Sequence, residues 1–207
     1  MWQVFIGSIV LSIIHALIPN HWLPLIAIGK AEKWTQRETL SATLVTAIAH
    51  IASTIMIGIA VGFIGYKLSN AFEFISAIIA PMVLIVLGLI YIITDLLHAH
   101  RHEHSHLSLN KEAKSRFAIL ASLSLAMFLS PCIELEAYYF QAGTLGWIGI
   151  LIVSAVYALV TPSLMVLLVY LGAKGLAKFD LHFLEHHVKK ITGILLIALG
   201  LLAYFVH

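Results

Sequence analysis

The sequence predicts an all-α integral membrane protein of six transmembrane helices, built as two inverted three-helix repeats in which helices 1 and 4 are broken. Three observations predict it: composition, the spacing of apolar runs against basic residues, and an internal offset. Hydrophobic residues make up 61% of the 207-residue chain and charged residues 11%, with a mean hydropathy of +1.00. A soluble domain carries far more charge than this. The formal net charge of +2 is too small to draw nucleic acid. One cysteine, Cys132, excludes an internal disulfide framework and any CxxC redox pair.

Six apolar runs, at roughly 2–28, 39–64, 74–97, 117–141, 146–172 and 190–206, reach the length of about 20 residues that spans a bilayer. The first lacks a basic start and a cleavage-site pattern, so it reads as a retained span and not a signal peptide. It runs through Pro19 and on to Pro24, which predicts a broken helix. The fourth is interrupted at Ser130-Pro131. Between the third and fourth lies a histidine-rich loop, dividing the chain into a first repeat (1–97), the loop (98–116) and a second repeat (117–207).

With six spans, the loops after spans 1, 3 and 5 share one side of the membrane. Of the 12 Lys and Arg residues, all but Lys67 fall in those three loops. The preference of basic residues for the cytoplasm then places these loops inside, both termini outside, and the chain in the cell inner (plasma) membrane as a multi-pass protein.

At an offset of 112 residues, Leu11-Ser12 aligns with Leu123-Ser124, Leu17 with Leu129, Pro19 with Pro131 and Leu23 with Leu135. At the same offset Ile85, Leu87, Gly88 and Leu89 align with Ile197, Leu199, Gly200 and Leu201. The middle spans match poorly, and apolar helices resemble one another by chance. The coincidence of the two prolines favours a true repeat. Three spans is an odd number, so the halves would be inverted, and paired broken helices then point to a substrate site near the midplane.

Ligand-type residues reach one depth. His15 lies halfway through span 1, His50 halfway through span 2, and Glu134 and Glu136 near the middle of span 4, next to Cys132. At 1.5 Å of rise per residue these share a level in the bilayer. His21 lies six residues from His15, a poor fit to one helical face, but a break at Pro19 lets Asn20 and His21 turn back. An imidazole in hydrocarbon costs free energy unless partnered. One such histidine is best read as bonded to a neighbouring helix; three with two carboxylates suggest a metal site. Imidazole suits nickel, cobalt, zinc and copper, and carboxylates extend the choice to manganese or iron. Cys132 is either a soft ligand or a small residue that lets helices approach. Asn20 either offers a carbonyl oxygen or caps the half-helix after the break. Trp22, Trp34 and Trp147 read as interface anchors, and Ser53 and Thr54 as interhelical hydrogen-bond partners.

In the loop, His98, His100, His102, His104 and His106 recur at every second residue, a compositional signal for metal capture. His182, His186 and His187 are equally well explained by an interfacial amphipathic stretch. Asp95, at the end of span 3, either hands ions inward or faces headgroups.

His15-Ala16-Leu17-Ile18-Pro19-Asn20-His21 resembles the first motif of the NicO-type nickel/cobalt transporter family, and is similar to the His-x4-Asp-His signature of the related nickel/cobalt permeases. Ala49-His50-Ile51-Ala52-Ser53-Thr54 looks like that family's second motif, 98–106 like its histidine-rich loop, and Pro131-Cys132 like its Pro-Cys. The resemblance implies that His15, His21 and His50 hold the transported ion. It differs at Asn20, where the permeases have aspartate and NicO proteins commonly glycine, and in having Glu134 and Glu136.

The expected function is therefore secondary transport of a divalent transition-metal ion such as nickel or cobalt, with zinc, manganese or iron as other cargoes. Export is slightly favoured because the histidine loop would collect metal from the cytosol. The expected partners are the metal ion and membrane lipid, with a homo-oligomer left open. The competing readings are an intramembrane metalloenzyme and a metal-responsive membrane scaffold. An enzyme is disfavoured because the chain has neither an HExxH cluster nor an extramembrane pocket.

Overall fold

A computed structural model describes residues 1–98, 115–174 and 181–206, and among them every regular element is helical. In chain order these are α1 (Trp2–Leu17), α2 (Pro19–Ala31), α3 (Gln36–Ala71), a π-helical turn (Ile75–Ile79), α4 (Ala80–His98), α5 (Arg116–Phe128), α6 (Ile133–Thr144), α7 (Trp147–Ala173) and α8 (Leu181–Val206). Four stretches are long and apolar enough to cross a membrane: Trp2–Ala31, Gln36–Ala71, Ile75–Thr94 and Trp147–Ala173. The pair α5 and α6, bent by 48°, is a broken span or a re-entrant loop and makes a fifth if counted as one span, and α8 contributes a shorter apolar stretch, Lys190–Phe205.

Both expected breaks are present, and each follows from a proline. Pro19 forces Ile18 into an extended conformation (φ −62°, ψ 119°), so α1 stops at Leu17. Pro19 then opens α2 at the first helical position, where its missing N–H costs nothing. The freed carbonyl of Leu17 accepts the indole N–H of Trp22 at 3.4 Å. Trp22 is only 3% exposed; it closes the break inside the bundle and is no interface anchor. At the second break α5 ends at Phe128, and Pro131 precedes the extended Cys132 that opens α6.

The turn between α2 and α3 is closely specified. The Trp34 N–H reaches the Gly29 carbonyl at 2.8 Å and the Lys33 N–H reaches that of Lys30 at 3.3 Å, a Schellman ending with Lys33 at φ 53° in the glycine-type position. One residue later Thr35 caps α3: Glu38 N–H donates to its hydroxyl while the Glu38 carboxylate accepts from the Thr35 N–H. The same carboxylate takes the guanidinium of Arg116, tying this turn to the start of α5.

Two glycine contacts set how the helices cross. On α6, a Cβ at Gly143 would sit 2.0 Å from the carbonyl oxygen of Gly62 on α3, so these two backbones touch without side chains between them. On the α4–α8 pair, a Cβ at Gly88 would meet Ile197 at 2.8 Å, and one at Gly200 would meet Ile85 at 2.7 Å. These contacts are reciprocal across the 112-residue offset, since Ile85 aligns with Ile197 and Gly88 with Gly200.

The ends of the bundle differ in charge. One end gathers Met1, the last turn of α6 and the last turn of α8 around a cavity of about 320 Å³. The opposite end brings Lys30, Lys33 and Lys174 around one of about 340 Å³.

The α3–α6 approach carries His50 on one helix and Cys132 at the head of the other, so it fixes their spacing. Gly143→Val is expected to destabilise the protein by about 1–3 kcal/mol through overpacking. It should also weaken metal binding, read by thermal unfolding in detergent and by titration with zinc(II).

Candidate metal centre

His15, in the last turn of α1, His50, in the middle of α3, and Cys132, at the head of α6, meet in the interior. His15 Nε2 lies 3.3 Å from His50 Nε2, and Cys132 Sγ lies 3.3 Å and 3.2 Å from these two nitrogens. All three residues are buried. Three elements distant in sequence thus present three donor atoms to one point.

The outer nitrogen of each ring decides what the inner one can do. His50 Nδ1 lies 3.0 Å from the Met127 carbonyl oxygen, which can only accept, so Nδ1 carries the hydrogen. That carbonyl has room for the imidazole because its i+4 position is Pro131, which has no N–H, and the turn gives it only a long bond from the Ser130 N–H at 3.4 Å. His15 Nδ1 lies 3.1 Å from Oε1 of Glu134, again an acceptor. With both Nδ1 atoms protonated, neutral rings would turn both Nε2 lone pairs inward, the two nitrogens lying 3.3 Å apart. The single S–H of Cys132 can satisfy only one of them. Such a group is stabilised by a shared cation.

Its dimensions fit a metal ion. Bonds of about 2.0–2.1 Å to nitrogen and about 2.3 Å to sulfur at tetrahedral angles place nitrogens about 3.4 Å apart and nitrogen and sulfur about 3.6 Å apart. The nitrogen–nitrogen edge matches, and the sulfur edges are slightly short. A histidine that binds through one nitrogen while its other N–H is held by a carboxylate is the usual form of a metal-ligating imidazole.

Glu134 stands behind His15, not at the centre. Its Oε1 accepts from His15, and its Oε2 accepts from the Tyr91 hydroxyl at 2.9 Å. Glu136, two residues on, is turned about 200° around the helix axis. Its carboxylate oxygens have no hydrogen-bond partner among the described residues, and the residue borders an apolar groove of about 660 Å³ with Met82, Val86 and Phe140. His21 lies beside the centre, its ring 4.5 Å from that of His15 and 4.9 Å from that of His50 between centroids. It does not join the three-donor group. The break at Ile18 brings it there despite the six-residue spacing. The side chains of Asn20, Asp95, His98, His182, His186 and His187, and all of His100, His102, His104 and His106, lie outside the described residues.

Two neighbours carry no metal-ligand signature in the sequence. Tyr157 on α7 places its hydroxyl 3.8 Å from Cys132 Sγ, and Tyr91 on α4 holds Glu134. Single tyrosines in apolar spans give no pattern that would single them out. Thr54 makes the interhelical contact expected of it, with its hydroxyl 3.9 Å from Cys132 Sγ, whereas Ser53 bonds back to His50 in its own helix.

Because Glu134 acts through His15, Glu134→Ala is expected to weaken zinc(II) affinity by about 10–100-fold without removing a ligand atom. Glu134→Gln, which still accepts from Nδ1, should lose less. Competition with a metallochromic dye in detergent measures both; equal losses for the two would mean that Glu134 itself binds the ion. No family model, curated protein or solved structure matches this chain.

Proposed function

We propose that this protein is a membrane carrier for divalent transition-metal ions, with His15, His50 and Cys132 as the central ligands of the cargo. The observation that carries the reading is the meeting of His15 Nε2, His50 Nε2 and Cys132 Sγ within 3.3 Å of one another, each imidazole held at its outward Nδ1. Two imidazoles and a thiolate suit ions of borderline softness: nickel, cobalt, zinc and copper before magnesium or calcium. His21, beside both rings, is placed to relay an ion to or from the centre. The likeness of the first motif to nickel/cobalt transporters is in keeping with this cargo.

In this reading the chain spans the membrane six times as two inverted repeats, with α1–α4 and α5–α8 as the halves. The paired breaks at Pro19 and Pro131 and the reciprocal α4–α8 contacts support it. Alternating access then comes from one half rocking against the other about the central ligands. The basic loops face the cytoplasm of a plasma membrane and both termini lie outside. The histidine tract of 98–106 collects metal on the basic side, which favours export.

Flux of nickel(II) and zinc(II) across proteoliposome membranes tests the reading. His15→Ala and His50→Ala should each reduce flux at least tenfold at limiting metal; flux unchanged by both substitutions would sink it. Deleting 98–106 should change apparent affinity and leave the maximal rate standing. A cysteine placed at Lys111 in a Cys132→Ser chain tests orientation: reaction with an impermeant thiol reagent in intact cells would overturn the cytoplasmic placement.

A further inference from the structure

Buried polar side chains on α1 and α6 form a file between the metal centre and the N-terminal end of the bundle. On α1, Ser8, Ser12 and His15 follow one another at steps of four and three on one helical face, with Gln3 at the head of the helix. On α6, Glu134, Tyr138 and Gln141 do the same at four and three. Long side chains bridge the two helices, which run in opposite directions: His15 bonds Glu134 at one level, and the Tyr138 hydroxyl donates to the Val4 carbonyl at 3.2 Å about three turns away along α1. Gln3, Tyr138 and Gln141 line the cavity of about 320 Å³ at the N-terminal end.

Two of these groups are without partners. Ser12 is fully buried, one turn from His15, and its hydroxyl has no hydrogen-bond partner among the described residues. Gln141 is 5% exposed, and its carbonyl oxygen is likewise unpartnered. Inside an apolar bundle an unmet polar group is costly and implies water or a cation as an intermittent partner. Tyr138 closes the file between them. It is itself buried, and it lies so close over Gly7 that a Cβ there would sit 2.1 Å from its oxygen.

We propose that the metal ion passes between the centre and the N-terminal face along Ser12, Ser8 and Gln141, with Tyr138 as the gate. The inference rests on the carrier reading. Charge selects this face over the other in the present conformation. The cavity at the opposite end is bordered by the ammonium groups of Lys30, Lys33 and Lys174, which repel a divalent cation, whereas this one sets only the N-terminal amine of Met1 beside the neutral, oxygen-bearing Gln3, Tyr138 and Gln141.

Cys132 is the only cysteine in the chain, so its own thiol reports on the route. In proteoliposomes of known orientation, a small impermeant cationic methanethiosulfonate is applied to one face at a time. Tyr138→Ala should accelerate modification of Cys132 at least tenfold from the N-terminal face and leave the rate from the basic face unchanged. An unchanged rate from the N-terminal face, or equal acceleration from both faces, overturns the route. Gln141→Cys in a Cys132→Ser chain gives a check that leaves Tyr138 intact. It should react rapidly from the N-terminal face, and failure to react overturns the proposal. Neither readout depends on flux, so a protein with an open file that moves no metal would refute the carrier reading alone.

Discussion

The hydrogen bond from His50 Nδ1 to the Met127 carbonyl links the broken helix to the chemistry of the centre. The helical partner of that carbonyl would be residue 131, a proline with no N–H to give. The turn leaves the carbonyl only a long bond from the Ser130 N–H at 3.4 Å, and the imidazole that takes its remaining capacity is thereby held with Nε2 facing the centre. Backbone satisfaction in an apolar interior and ligand preorganisation are the same bond here. His15 is fixed by a side chain instead, with Glu134 behind it and Tyr91 behind Glu134. One imidazole is anchored by backbone geometry and the other by a charged relay, so the two respond to different kinds of damage.

The rest of the fold serves to bring three distant elements to that point. Cys132 opens α6 only because Pro131 ends what precedes it. His50 reaches it because α3 and α6 touch backbone to backbone at Gly62 and Gly143. His15 arrives from α1 one turn before its own break, where the indole of Trp22 takes up the free carbonyl of Leu17. Each proline therefore removes a hydrogen bond, and each break has a specific replacement built from a side chain that packs in the core.

Much of this was legible in the sequence, because the signals were local. Prolines inside apolar runs announce breaks, and histidines at one depth in such runs are expensive enough to mean something. The common depth of His15, His50, Glu134 and Glu136 followed from counting residues, though which side chains meet laterally, Cys132 among them, did not. The carboxylates were harder. Glu134 and Glu136 read as equivalent ligands until the helix phase separates them, sending one behind His15 and the other toward an apolar groove. Trp22 read as an interface anchor because its indole was weighed against the bilayer and not against the carbonyl that Pro19 frees five residues earlier. Tyr91, Tyr157 and the Met127 carbonyl were illegible, since their roles exist only through partners on other helices.

The seam between α4 and α8 has a consequence of its own. Gly88 receives Ile197 and Gly200 receives Ile85, so one knob and one hole occur on each helix in the same order. A surface of that kind is self-complementary: it is what a half-length chain would need in order to pair with an upside-down copy of itself. α4 and α8 therefore present the same knob and hole to each other. A cavity opened on one side of the seam could be refilled by a larger residue at the matching position of the other, without disturbing the ligands. The seam is where the halves can drift apart in sequence while still fitting together, leaving the asymmetric centre of two imidazoles and a thiol free to specialise.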